Sequence, residues 1–148
     1  MPTPNTIPNS LQASSTLTLQ DITASCDASP PASGFFSFFQ LNCHVSKSVT
    51  LTTLESSLNF DFLILQEPWV NPFDLAPPQH PAWRAFTAFE HSPLKWLDRH
   101  KSVIYVKKAI PSNLIKLLPG GSQVVVGVEI SPPTGLPFCF LNIYNPPS

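Results

Sequence analysis

The feature that most constrains the fold is a run of four apolar residues, Phe62-Leu63-Ile64-Leu65, that stops at Gln66-Glu67 and is closed by Pro68. An unbroken apolar run of this length, bounded by polar residues, predicts a strand buried on both faces, over about 61–66. Pro68 removes the next backbone donor and ends the pairing. Glu67 therefore stands at the C-terminal end of a buried strand, where open α/β sheets place their chemistry. Position alone leaves it two readings, a solvated strand-end residue or a reactive carboxylate.

Two further runs share the pattern. Phe35 to Asn42 (FFSFFQLN) predicts a strand over about 35–43 with Asn42 at its end, and Leu136 to Tyr144 predicts a strand ending in Tyr144. An amide, a carboxylate and a phenol at three strand ends are expected to converge. Between the first two strands, Ser46 or Ser48 caps a helix running to Leu58, with Leu51, Leu54 and Leu58 on one face. Its Thr and Ser content makes it weak on propensity, so packing must hold it. Strand, amphipathic helix, strand is a β-α-β unit.

Proline-rich loops account for much of the rest. The chain of 148 residues carries 18 prolines and only 11 % charged residues, which suits short strands joined by loops and argues against a helical bundle. Residues 68–82 read as a long loop, 83–89 (WRAFTAF) as a short strand and 102–107 (SVIYVK) as a longer one. Pro119-Gly120-Gly121 reads as a turn. Residues 123–130 (QVVVGVEI) form a hairpin with the strand that ends in Tyr144. Residues 1–33, rich in Ser, Thr and Pro with Asp21 and Asp27 as their only charges, read as a disordered leader, and 34–148 as one partial domain.

Several function classes are disfavoured. No apolar run approaches the roughly 20 residues of a membrane span, and no membrane partner is expected. Cys26, Cys43 and Cys139 are odd in number and irregular in spacing, which fits neither a disulfide framework nor, with the four histidines, a zinc site. Cys43 and Cys139 lie in apolar runs and are expected to be buried free thiols in a reducing, intracellular compartment. Gly120-Gly121 has neither the Lys-Ser/Thr nor the helix of a phosphate-binding loop. Seven of the eight Lys and Arg fall between Arg84 and Lys116. That block is a nucleic-acid contact or a solvated surface broken by Glu90 and Asp98.

The order Asn42, then LILQEP (63–68), then IYNPP (143–147), resembles the endonuclease/exonuclease/phosphatase superfamily, which includes deoxyribonuclease I and the AP endonucleases. The wording LILQEPW and the Pro-Pro after Asn145 resemble the endonuclease domain of LINE-type (non-LTR) retrotransposons. The resemblance spans about residues 35–148, roughly the first half of the family domain. It implies a two-sheet α/β sandwich with mixed, mostly antiparallel strands and few helices. It implies Mg2+- or Mn2+-dependent nicking of DNA, with Asn42 and Glu67 as metal ligands, Glu67 and Tyr144 as catalytic residues, and Tyr144 on the scissile phosphate. The DNA phosphate backbone would be the partner and the nucleus the location; nothing bears on oligomeric state. Hard oxygen ligands suit Mg2+, which keeps several waters.

Two departures follow. Where AP endonucleases often carry an acidic residue two positions after the Asn, His44 stands here, as a phosphate contact or a satisfied loop residue. The family's later Gly-Asp-Phe-Asn-like and Ser-Asp-His segments have no counterpart in 1–148. Negligible turnover is therefore expected, since those segments supply the nucleophile-activating groups. Half a sandwich is also expected to expose an inner sheet face, around Val124 to Val128, and so to aggregate. The alternative is a non-catalytic remnant that binds nucleic acid or protein through its basic segment; phosphoinositide or sphingomyelin substrates are a third reading within the superfamily.

Overall fold

The computed structural model describes residues 35–88 and 100–145. The expected leader, Cys26, Pro146-Pro147 and the part of the basic block within 89–99 lie outside the described residues. The architecture is mostly β: two sheets and one short helix.

The first sheet is built from β1 (Phe38–Asn42), β2 (Phe62–Gln66), β3 (Trp83–Phe86) and β4 (Ser102–Lys107), in the order β1-β2-β4-β3. β1 and β2 are parallel, Asn42 facing Gln66; β2–β4 and β4–β3 are antiparallel. Helix α1 (Lys47–Ser56) makes the crossover. The second sheet holds β5 (Ile115–Leu117), β6 (Val125–Ile130) and β7 (Phe138–Ile143), all antiparallel. β5, three residues after a short 3-10 turn (Ser112–Leu114), was not expected from the sequence.

α1 starts where Ser46 accepts a hydrogen bond from the Val49 N–H, and it ends at Ser56, two residues before the expected Leu58. Its buried stripe is not the expected leucine face. Thr50, Thr53 and Leu54 are buried, Leu51 is half-buried and Leu58 is exposed. The threonines fit there because their hydroxyls bond carbonyls one turn back, Thr50 to Ser46 O at 2.8 Å and Thr53 to Val49 O at 2.8 Å.

The core has two layers. Leu63, Leu65, Val103 and Tyr105 on one face of the first sheet pack with Leu54, Cys43 and Trp83. Two hydrogen bonds close this layer, Trp83 Nε1–H to Leu54 O at 2.8 Å and the Tyr105 hydroxyl to Pro78 O at 3.1 Å. On the other face Phe62, Ile104 and Val106 meet Val126, Val128 and Ile130 of the second sheet, ringed by Phe36, Phe138 and Phe140. The four residues Phe62 to Leu65 are all buried, as the double-faced reading of β2 required.

Two expectations are corrected here. Val126 and Val128 are fully covered by the first sheet, so the inner face of the second sheet is not bare. Cys43 is a buried free thiol, but Cys139 is exposed, because β7 alternates and Cys139 points away from the first sheet. Among the described residues no helix is long and apolar enough to cross a membrane.

Candidate functional site

One end of the two sheets gathers five strand ends. β1 ends at Asn42, β2 runs into Glu67, and β7 runs into Tyr144. β4 is antiparallel to β2, so its start, with Lys101 just before it, lies at the same end. Residues 123 and 124, just before β6, close the group.

Hydrogen bonds between and within the sheets fix this end. Lys101 N–H donates to Gln123 O at 2.9 Å and Tyr144 N–H to Val124 O at 2.7 Å. The Ser102 hydroxyl donates to the same Val124 carbonyl at 3.0 Å, and the Gln66 amide to Ile143 O at 2.9 Å. Beneath them Asn142, fully buried, donates both amide hydrogens, to Leu65 O at 2.8 Å and Val103 O at 3.1 Å. Its Oδ1 is buried with no hydrogen-bond partner.

Glu67 is held in an unusual backbone state. Its φ is +44°, a left-handed conformation that costs a non-glycine residue about 1–2 kcal/mol. The neighbouring loop offsets this: Glu67 N–H donates to Lys101 O at 2.8 Å, and Glu67 O accepts from Val45 N–H at 2.8 Å. His44 and Val45 are themselves left-handed, at φ +49° and +59°. Three strained residues meeting at one carboxylate, each fixed by neighbours, is the pattern expected where geometry serves chemistry. Beyond Glu67, Trp69 N–H donates to the Thr50 hydroxyl at 2.9 Å, tying the outgoing chain to α1.

The three residues singled out in the sequence are brought together. The Tyr144 hydroxyl donates to Glu67 Oε1 at 2.8 Å. Asn42 turns its Oδ1 to His44 N–H at 2.9 Å. Lys101 Nζ is 3.5 Å from Glu67 Oε1, and His44 Nδ1 is 3.9 Å from Oε2, with the His44 side chain 82 % exposed. The Glu67 carboxyl is held below its ordinary range chiefly by the Tyr144 hydroxyl; burial opposes this, and Lys101 and then the Asn42 amide add to the lowering. The Tyr144 hydroxyl is pushed up in turn, first by its hydrogen bond to Glu67.

The donors are a carboxylate and a carboxamide, both hard oxygens. Among the described residues no group of three or more His, Cys, Asp or Glu is placed to hold a metal ion. The pair matches the small protein share of a hydrated Mg2+ site and not the fuller ligand set of zinc. Oε1 of Glu67 takes the Tyr144 hydroxyl and Lys101, and Asn42 Oδ1, which accepts from His44 N–H, keeps a second lone pair.

The sequence places Lys101 only within the basic block and does not single out Asn142. Lys101 stands at the start of a strand, and the antiparallel pairing of β4 with β2 brings that start to the Glu67 end of the sheet. Asn142 did carry a signal: it continues the alternation Phe138, Phe140, Asn142, a polar residue at an inward position. Comparisons with protein-family models, with curated proteins and with solved structures each returned no match.

Proposed function

We propose that residues 35–145 form the metal-holding part of a divalent-metal-dependent phosphodiesterase of the deoxyribonuclease I-like superfamily, of retrotransposon-endonuclease type, with DNA as the polymer contacted. The observation that carries this reading is the Glu67 carboxylate, held in left-handed backbone at the joint end of two sheets with the Tyr144 hydroxyl on one oxygen. The chain order Asn42, Glu67, Tyr144 at the ends of β1, β2 and β7 supports it.

In this reading Glu67 and Asn42 would hold a Mg2+ or Mn2+, which would supply charge stabilisation at a phosphate oxygen. The Tyr144 hydroxyl, already pointed at Glu67, donates to a phosphate oxygen that takes the place of Oε1. The ionisable neighbours that the described residues give Glu67 are Tyr144, Lys101 and His44. None is a second carboxylate that would orient an attacking water, so metal and DNA binding without turnover is what the described residues lead us to expect.

The test is Mn2+ binding by the 148-residue chain, followed by electron paramagnetic resonance, beside plasmid nicking in Mg2+. Binding lost in Glu67→Ala, with no Glu67-dependent nicking, is expected. No Glu67-dependent Mn2+ binding would overturn the metal reading; nicking that disappears with Glu67→Ala would overturn the absence of turnover.

A second reading, a non-catalytic nucleic-acid-binding module, is favoured by one observation. Lys47 Nζ lies 4.8 Å from the centroid of the Trp69 ring, two residues beyond Glu67, a cation and an aromatic face side by side. Salt-dependent DNA binding that survives Glu67→Ala and Asn42→Ala would select it.

A further inference from the structure

Lys101 has no part in the roles just described, yet it is the cation held against Glu67. Its backbone is fixed on both sides, the N–H to Gln123 O and the carbonyl to Glu67 N–H. Its ammonium lies 3.5 Å from Glu67 Oε1 and 5.8 Å from the centroid of the Tyr144 ring. The separation from Oε1 is at the long end for a hydrogen bond, and the side chain is 34 % exposed. Oε1 thus meets two donors, the Tyr144 hydroxyl and this ammonium, while the exposed His44 lies 3.9 Å from Oε2.

We propose that Lys101 is the resident counter-ion of Glu67 and the site's anion-binding residue: its ammonium neutralises the carboxylate until a divalent cation binds there, and then turns to a phosphate oxygen of the DNA. The inference rests on the reading of Asn42 and Glu67 as a metal-holding pair. Two cations cannot share one carboxylate without repulsion, so the ammonium opposes the metal while it stays. Displaced, it has three donors to satisfy, and a phosphate is the acceptor that suits a compact point charge. A loose contact on a flexible four-carbon stem, anchored by a rigid backbone, permits that exchange without moving a strand.

The two halves of the proposal have opposite signs, which makes them separable. With the full 148-residue chain, Lys101→Met is expected to bind Mn2+ roughly tenfold tighter than wild type, the scale of removing one nearby unit charge. The same variant is expected to bind a fluorescein-labelled single-stranded oligonucleotide, in saturating Mn2+, roughly tenfold weaker. Lys101→Arg keeps both affinities near wild type. Lys101→Gln provides the same contrast if the methionine variant does not fold.

Unchanged or weaker Mn2+ binding in the neutral variants overturns the counter-ion role, and unchanged oligonucleotide binding overturns the anion role. A purely structural lysine would weaken both. If wild type and Lys101→Met bind Mn2+ alike through Glu67, only the Lys101 inference falls. If neither binds Mn2+ in a Glu67-dependent way, the metal reading falls and takes the inference with it.

Discussion

β2 and β7 are both apolar runs that end at the candidate site, and they are covered to opposite degrees. Every residue from Phe62 to Leu65 is buried, whereas Leu141 and Ile143 are 58 % and 56 % exposed and Cys139 is exposed beside them. The first sheet is sandwiched, with α1 and the layer around Leu54 and Trp83 on one face and the second sheet on the other. The second sheet, among the described residues, has the first sheet on its inner face alone. Strand burial is decided by what stands on each side of a sheet, and composition cannot report that. The aggregation hazard expected at Val124 to Val128 therefore moves to the outer face, at Leu141 and Ile143.

The largest effect that would break this comparison is in the core. Leu65→Ala is expected to cost about 2–5 kcal/mol, as for other fully buried leucines. Leu141→Ala, on the bare face, is expected to stay within about 0.5 kcal/mol. Urea denaturation of the two variants, read at constant slope, decides it. Equal losses would mean that the outer face of β7 is covered in solution.

A smaller effect concerns the one polar residue that β7 turns inward. Asn142→Leu removes the hydrogen bonds to Leu65 O and Val103 O, so that each of these buried carbonyls keeps its ladder donor and loses its second. About 1–3 kcal/mol is expected, reduced because the unpartnered Oδ1 goes too. Since Asn142 fixes β7 two residues before Tyr144, this variant should also loosen the Tyr144–Glu67 contact. That is visible as a shift of the Glu67 titration toward the ordinary carboxylate range in carboxyl 13C NMR. A variant as stable as wild type, with Glu67 unmoved, would make Asn142 a passive filler.

The same contrast explains how much could be read from the chain. The doubly buried β2 was legible because a continuous apolar run needs no partner information, and the expected strand 102–107 is the observed β4, Ser102–Lys107. The meeting of Asn42, Glu67 and Tyr144 was legible because each closes an apolar run. β5 was not: Ile115-Lys116-Leu117 is too short to show a period and pairs on one edge with β6. The buried face of α1 was misread because Thr50 and Thr53 count as polar until their hydroxyls close on the helix's own carbonyls. Lys101 was hidden by topology, since nothing in its local sequence says which strand end it shares.

The smallest effect separates the two sheets' joint end from their core, through two tyrosines. Tyr105 is buried and its hydroxyl is pushed up mainly by burial, with the Cys43 thiol adding to it. Tyr144 is half-buried, and its hydroxyl is raised first by the hydrogen bond to Glu67, the same bond that lowers the Glu67 carboxyl. Because the Glu67 pKa is lower folded than unfolded, its contribution is present above the unfolded value, about 4.3, and is lost as pH falls through the folded one. Because the Tyr144 pKa is higher folded than unfolded, its contribution is present below the unfolded value, about 10, and is lost as pH rises through the folded one. Tyr144→Phe should therefore flatten both limbs of the stability–pH profile at once, while leaving the alkaline loss due to Tyr105 in place. Near neutral pH the change should be small, since the contact is open to water and screened. Chemical denaturation from about pH 3 to about pH 12, so that the scan passes the unfolded values of about 4.3 and about 10, with the Glu67 carboxyl followed by NMR, tests it. A Glu67 that titrates identically in wild type and Tyr144→Phe would show that the ammonium of Lys101, and not the phenol, sets the charge at the site.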